Sequence, residues 1–281
     1  MSTETEPQAA ADRRPTVADL TVVVPVRNAE RLLEGCLASV GAAGAREVIV
    51  VDGVSSDGSR KVARRHGARV LSDGGRGLPA ARMMGVEAAS TPWVALVDAD
   101  VVLPPGALAS LLEEYVEGGY VALQAGLKST SGPGYWGRAL TFHHRTGRSR
   151  YWFGVVATIV ERQTLLETGF DPRFLSGEDI DLRWRLRQVG RIGVSRTTLV
   201  THRFDGDTFE FARDQFLMDG KGLGRMVRTR GLHAAHLLAL PAAAGIRGLA
   251  LSVRHGHPQF IPYFAAFTAY NYVGVARGLA T

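Results

Sequence analysis

The stretch Trp93-Val94-Ala95-Leu96-Val97-Asp98-Ala99-Asp100 constrains the fold more than any other part of the chain. Five consecutive apolar residues behind Pro92 predict a strand buried on both faces, the habit of parallel sheets covered by helices. Asp98 and Asp100 then fall where that strand leaves the sheet. In open α/β sheets, ligands bind beyond the carboxyl ends of the strands. Side chains two apart on an extended chain point the same way. Two hard oxygen ligands on one side suit Mg²⁺ or Mn²⁺, which keep several waters and take further ligands from substrate phosphates. By itself Asp-x-Asp reads equally well as a loop acid capping the next helix, so its surroundings decide.

Those surroundings alternate strand and helix. Leu20 to Val24 predicts a short strand ended by Pro25. A helix opens at Asn28-Ala29-Glu30, with Leu32, Leu33, Cys36, Leu37 and Val40 at helical spacing. Val48 to Val51 is the second strand and runs straight into Asp52. Ser55-Ser56-Asp57-Gly58 caps a basic helix reaching about His66. Val70-Leu71 is a third short strand, and Leu78 to Ala89 is a helix after the loop Gly74-Gly75-Arg76-Gly77. The Trp93–Val97 strand and a helix from about Pro105 to Tyr115 follow. Short links between alternating elements predict a mostly parallel sheet with helices on both faces. Pro25-Val26-Arg27-Asn28, Asp52-Gly53 and Asp98-Ala99-Asp100 all end strands, so they should gather along one sheet edge.

Beyond Val121–Ala125 the pattern changes. Lys128 to Gly137 is rich in Gly and Ser and reads as a mobile loop. The run His143, His144, Arg145, Arg148 and Arg150 reads as a solvated face or a contact for an anionic acceptor. Tyr151 to Val160 reads as a strand and Thr164 to Glu167 as a short helix. Ser176-Gly177-Glu178-Asp179-Ile180-Asp181-Leu182 opens a further helix. Ser176 and Asp179 have capping-box spacing, and acids in a first turn suit the helix dipole. Three acids at 178, 179 and 181 exceed that need. Ile192–Val194 and Leu199-Val200 are short strands before Thr201-His202-Arg203, and Asp207 to about Arg230 is a helix.

Composition sets the class. The 281 residues are 46% hydrophobic and 21% charged, as in soluble globular proteins. The length allows one large α/β domain with an extension, or two small domains. A net charge of +6, mostly from Arg, favours anionic partners such as nucleotides. The single cysteine, Cys36, excludes an intrachain disulfide and fits a reducing compartment. Residues 1–19 lack an apolar h-region and are expected to be a disordered leader, not a secretory signal.

Taken together, the chain resembles glycosyltransferase family 2, inverting enzymes of the glycosyltransferase-A fold. The resemblance covers about residues 20–225. It rests on Val22-Val23-Val24-Pro25-Val26-Arg27-Asn28, Val50-Val51-Asp52-Gly53 with Ser56-Asp57-Gly58, Gly77-Leu78-Pro79-Ala80-Ala81-Arg82, Asp98-Ala99-Asp100, and Gly177-Glu178-Asp179-Ile180-Asp181-Leu182 with Arg185. Gly53 and Met83 depart from the pattern, which commonly has Asp and Asn there.

The resemblance implies a Rossmann-like domain with a mixed, mostly parallel sheet over 20–230, a donor half to about 125 and an acceptor half from about 126; the composition of 231–281 predicts an apolar helical tail beyond it. It implies that Pro25, Arg27, Asn28, Asp52, Arg82, Asp98 and Glu178 surround a UDP- or GDP-linked sugar, Arg82 reaching base or phosphates. Asp100, with Asp98 and His202, would serve Mg²⁺ or Mn²⁺, and Asp179 would be the catalytic base. A cation offsets charge growing on the diphosphate leaving group. A single base suffices for inversion.

A nucleotidyltransferase and a non-catalytic nucleotide-sugar-binding protein are the competing readings. No G-x-G-x-x-G follows a strand, which argues against a dinucleotide-dependent dehydrogenase, and nucleic acid is not expected as a partner. The absence of Gln-x-x-Arg-Trp points to transfer of one sugar. Between Arg254 and Arg277 there is no Asp, Glu, Lys or Arg, and aromatics crowd in. Three outcomes are open for 232–281: a membrane span, an interfacial segment, or packing on the core. The chain is expected in the cytoplasm, peripheral at the inner face of the membrane, with a lipid-linked acceptor or a soluble small one.

Overall fold

The computed structural model describes residues 14–147, 151–174 and 176–280. The expected leader up to residue 13, and Arg148 and Arg150 of the basic run, lie outside the described residues.

The first four strands are β1 (Leu20–Val26), β2 (Glu47–Asp52), β3 (Arg69–Ser72) and β4 (Trp93–Val97), all parallel, in spatial order β3-β2-β1-β4. They are joined by α1 (Glu30–Ala42), α2 (Ser59–Arg65) and α3 (Leu78–Ala88). Alternation along β1 sends Val22 and Val24 to Leu33, Cys36 and Val40 on one face, and Val23 to Ala81 and Val86 on the other. Both faces are therefore dry, which is why these strands are continuous apolar runs. α3 approaches β1 at Gly85, where any Cβ would collide with Val23. β1 continues through Pro25 rather than stopping before it. Pairing with β4 ends at Val23↔Leu96, while pairing with β2 runs on to Val26↔Asp52. Cys36 is fully buried, and burial pushes its thiol up to about 12, so it is a small core residue.

The rest of the chain adds β5 (Val101–Val102), α4 (Ala107–Glu117), β6 (Ala122–Thr130), α5 (Tyr135–Thr146), β7 (Ala157–Glu161), α6 (Arg162–Thr168), α7 (Glu178–Val189), β8 (Ile192–Arg203) and α8 (Phe209–Arg230). The eight-stranded sheet has the order β3-β2-β1-β4-β7-β6-β8-β5. β7 is antiparallel to β4 and β6, β5 is antiparallel to β8, and β6 and β8 are parallel. The sheet is mixed and mostly parallel, with flanking helices, as expected.

Three local expectations are corrected. Residues 128–137 are not a loop: β6 runs to Thr130 because Leu127–Thr130 find partners in Val200–Arg203, and α5 begins at Tyr135. Of Tyr151 to Val160, only the part from Ala157 is strand, and Val155 has a left-handed φ of 62°. The two short strands after Ile192 are one strand, β8, whose register against β6 shifts between Gln124 and Gly126.

Beyond α8 come a 3₁₀ segment (Gly231–Ala239), α9 (Leu240–Arg254) and α10 (Ile261–Ala280). α10 lies so close to α8 that a Cβ on Gly220 would strike Asn271, and one on Gly274 would strike Leu217. Tyr263 and Phe264 of α10 are buried with Phe216 and Leu140. Among the described residues, one helical stretch, 209–254, is long and apolar enough to cross a membrane by length and composition alone.

Candidate active site

The turn after β4 is fixed from three directions. The Asp98 N–H donates to the Val156 carbonyl at 2.9 Å, and Cys36 Sγ donates to the Asp98 carbonyl at 3.6 Å. Arg203 donates its own N–H (3.0 Å) and Nε (3.2 Å) to the Asp100 carbonyl, and its Nη2 to the Leu32 carbonyl at 2.6 Å. Val156 just before β7, α1 and β8 thus hold the backbone, and the two carboxylates diverge in use. Asp98 Oδ1 accepts from Arg82 Nη2 at 2.8 Å. Asp100 Oδ2 lies 3.2 Å from His202 Nε2, and Asp100 Oδ1 is buried with no hydrogen-bond partner.

An unpartnered buried carboxylate oxygen is costly and is a natural place for a cation. Among the described residues, no three His, Cys, Asp or Glu side chains form a metal cage. Asp100 alone, with water and diphosphate completing the shell, fits the sparse protein ligation that Mg²⁺ and Mn²⁺ accept. Burial works to lower the pKa of His202, but its hydrogen bond to Asp100 and that residue's charge outweigh it, and the net shift is upward. His202 Nε2 is turned onto Asp100, so its first contact is the carboxylate. Burial raises the carboxyl of Asp98, against the pull of Arg82.

Arg82 is only 1% exposed and pairs with Glu178 at 3.1 Å as well as with Asp98. Arg82, expected to reach base or phosphates, and Glu178, expected beside the nucleotide sugar, meet each other here. Both are buried, and the guanidinium clamps the turn after β4 to the start of α7. Burial pushes Glu178 up to about 6, the nearby Arg82 opposing it.

The capping box at α7 does not form. The N-cap is Gly177, at a left-handed φ of 83°, a conformation that disfavours other residues. Its absent Cβ also lets the Gly222 carbonyl approach; a Cβ there would sit 3.2 Å from it. Ser176 Oγ donates instead to the Met218 carbonyl at 3.0 Å. Asp179 is thereby released from capping. Its Oδ2 accepts from Trp152 Nε1 at 3.2 Å, and burial raises its pKa despite that bond. Arg183 lies over the Trp152 ring, 4.7 Å from its centroid. The excess acid of the motif, Asp181, is 1% exposed and pairs with Arg185 at 2.7 Å and with Arg230 at the end of α8.

At the next strand ends, Arg27 and Asn28 are exposed while Pro25 and Asp52 are buried behind them. Asn28, at φ 52°, accepts from the Ser56 N–H at 2.8 Å and donates its N–H to Ser55 Oγ at 2.9 Å. Asp52 accepts from the Ser55 N–H at 3.2 Å and lies 3.4 Å from Arg60 Nε. The carboxylate of Asp52, expected beside the nucleotide sugar, shapes the loop next to Arg27 and Asn28.

The basic run is not a simple solvated face. His143 Nδ1 lies 3.1 Å from the Tyr263 hydroxyl among Phe264 and Phe267, and burial pushes it down to about 4.

Two residues of the site escape sequence reasoning. Trp152 lies 27 positions before the carboxylate it touches. Asp219 sits on α8 one residue after Met218, whose carbonyl Ser176 grips. Solvent reaches it, but crowding by protein and the charge of Asp179 push its carboxyl up to about 7. Its one legible signal is an acid beside the glycines 220, 222 and 224.

Comparison with known proteins adds an independent line. The family model described as glycosyl transferase family 2 matches residues 21–171. An uncharacterized glycosyltransferase of Mycobacterium tuberculosis is 32% identical over 237 residues, covering 84% of this chain and 85% of that protein. A pre-mycofactocin glycosyltransferase of the same species is 31% identical over 207 residues, covering 67% of this chain and 43% of that protein. Among solved structures, the glucosyl-3-phosphoglycerate synthase of M. tuberculosis with Mn²⁺, UDP and phosphoglyceric acid matches with a TM-score of 0.56 at 21% identity, over 80% of this chain and 81% of that one. S. aureus TarS 1–349 with UDP-GlcNAc matches with a TM-score of 0.55 at 16% identity, over 93% and 90%. At these identities the structural likeness is one of fold.

Proposed function

The chain belongs to glycosyltransferase family 2, with the glycosyltransferase-A fold, and on that premise we propose that it is an inverting, metal-dependent transferase moving one sugar from a UDP- or GDP-linked donor to an acceptor hydroxyl or phosphate. The observation that carries the reading is the division of labour between Asp100 and Asp179. Each is held on one oxygen, by His202 and Trp152 respectively, and each lies beside an acid whose charge Arg82 neutralises.

Asp179 takes the acceptor's proton as the acceptor attacks the anomeric carbon opposite the leaving diphosphate. Its raised pKa makes it a better base than an ordinary surface carboxylate. Asp100, through its unpartnered oxygen, would hold Mg²⁺ or Mn²⁺, and such an ion would supply positive charge to offset that of the leaving diphosphate. Asp98, steadied by Arg82, is left one oxygen for the donor's ribose or the ion's waters. Arg27 and Asn28 line the rim of the nucleotide pocket, with Asp52 supporting them. The relatives solved with UDP and UDP-GlcNAc favour a uridine donor.

The acceptor is carried at a membrane, at the cytoplasmic face. What supports this is the tail, which between Arg254 and Arg277 has aromatics and no Asp, Glu, Lys or Arg. The test of the chemistry is consumption of a panel of UDP- and GDP-sugars in Mn²⁺, repeated in EDTA. Hydrolysis or transfer that stops in chelator and returns with Mn²⁺ supports the reading; full turnover in EDTA overturns it.

A further inference from the structure

The outer faces of α9 and α10 break the usual rule for surface helices, which turn polar residues to water. On α9 the exposed positions Ala243, Ile246, Ala250 and Val253 recur at helical spacing, with Ile246 68% and Val253 65% exposed. Arg247 and Arg254, one heptad apart, run along one edge of that stripe. On α10 every exposed position except Arg277 is apolar: Ile261, Ala265, Ala269, Val273 and Ala276 form its spine, with Tyr272 and Leu279 at its sides.

The two helices pack on each other, so these stripes adjoin. A Cβ on Gly248 would strike Phe264, and one on Gly245 would strike Thr268. The opposite sides of α10 are taken by α8 and by the cluster of Phe216, Tyr263 and Phe264. The apolar outer face is thus what remains after all internal packing is complete. Contiguous exposed apolar surface of this kind marks an interaction site.

Charge selects the partner. From Gly220 to the last residue there is no Asp or Glu, while Arg247 and Arg254 stand exposed along the apolar stripe. A two-fold contact between copies would set this face against itself, bringing Arg247 and Arg254 of one copy against the same acid-free stripe of the other. An anionic lipid surface meets both halves of the pattern: apolar residues enter the headgroup boundary and arginines reach phosphates. A full span is disfavoured because α10 would have to leave α8 and the aromatic cluster.

We propose that the outward faces of α9 and α10 form one docking surface that seats the folded enzyme flat on an anionic phospholipid bilayer. The inference rests on the membrane-side acceptor of the proposed function, and it names the residues that make the contact.

The experiment is co-sedimentation of the full chain with vesicles of phosphatidylcholine alone and of phosphatidylcholine mixed with phosphatidylserine, at low and high salt. Wild type should pellet with the mixed vesicles, and less so at high salt. Ile246→Glu with Val273→Glu, both at exposed positions, should lower partitioning at least about tenfold. Arg247→Glu with Arg254→Glu should abolish the preference for phosphatidylserine. The melting temperature and its shift with UDP and Mn²⁺ should stay at wild-type values in all these variants. That readout separates failure of the docking face from failure of the glycosyltransferase reading. Wild type remaining in the supernatant with both vesicles overturns the proposal. So does a dimer by light scattering that Val273→Glu dissociates, which would make the face a contact between copies.

Discussion

The turn after β4 and the start of α7 are built from the same material, acids within a few residues of each other, and use it differently. In the turn, Asp98 is neutralised by Arg82 and Asp100 keeps a buried oxygen without a partner. At the helix start, Glu178 is neutralised by that same Arg82, Asp181 by Arg185 and Arg230, and Asp179 holds only the indole N–H of Trp152 among side chains. One buried arginine therefore joins the two clusters and leaves one reactive acid in each. Density of charge in a motif says little about which member does chemistry. The arginines decide that, by occupying the others.

The sharpest way to break this comparison is to exchange the roles. Asp179→Asn keeps the Trp152 bond but removes the proton acceptor, and turnover should fall roughly 10²–10⁴-fold. The melting temperature should change far less than turnover, since Asn keeps the shape and most of the hydrogen bonding of the carboxylate. The wild-type rate should also fall at acid pH with a midpoint above the ordinary carboxylate range, because burial raises Asp179 and the base must be ionised. A variant that melts early at normal turnover would make Asp179 structural.

Next in size is the clamp. Arg82→Met leaves Asp98 and Glu178 buried without their cation, and denaturant unfolding should show a loss of about 3–5 kcal/mol. An unchanged midpoint would mean the two clusters stand independently.

Glu178 allows a finer cut. Its folded pKa, about 6, exceeds the usual 4.5, so the folded state holds its proton more tightly than the unfolded chain. That contribution is fully present below pH 4.5 and is lost as pH rises through about 6. Against Glu178→Gln, wild type should lose about 2 kcal/mol between those limits. Parallel stability curves for the two proteins would contradict the burial of this acid. The smallest effect belongs to Ser176→Ala. A true N-cap serine costs about 0.5–2 kcal/mol to remove, and this one should cost less than about 0.5.

How much of this is legible in the sequence depends on whether the local pattern records it. Trp93–Val97 reads correctly to the residue because both its faces are dry, which leaves an unbroken apolar run, although its partners in β1 and β7 lie 60 or more residues away. The strand ends at 25–28, 52 and 98–100 read correctly as one edge because each closes such a run in a parallel strand. β6 is misread beyond Ala125 because its extension depends on pairing with β8, more than 70 residues later. Gly132-Pro133-Gly134 then hides the start of α5. The burial of Arg82, the Trp152 contact and the position of Asp219 all come from tertiary packing, which periodicity does not record. The capping box failed because Gly177 takes the left-handed turn that brings α8 against α7, a demand invisible locally.

The most direct test of the central claim is UDP affinity with and without Mn²⁺, measured by calorimetry on wild type, Asp100→Ala and Asp179→Asn. The account predicts that Mn²⁺ tightens UDP binding in wild type and in Asp179→Asn, and that Asp100→Ala loses this gain while keeping its metal-free affinity. Equal Mn²⁺ enhancement in Asp100→Ala, or its loss in Asp179→Asn, would contradict the division of roles between the two acids.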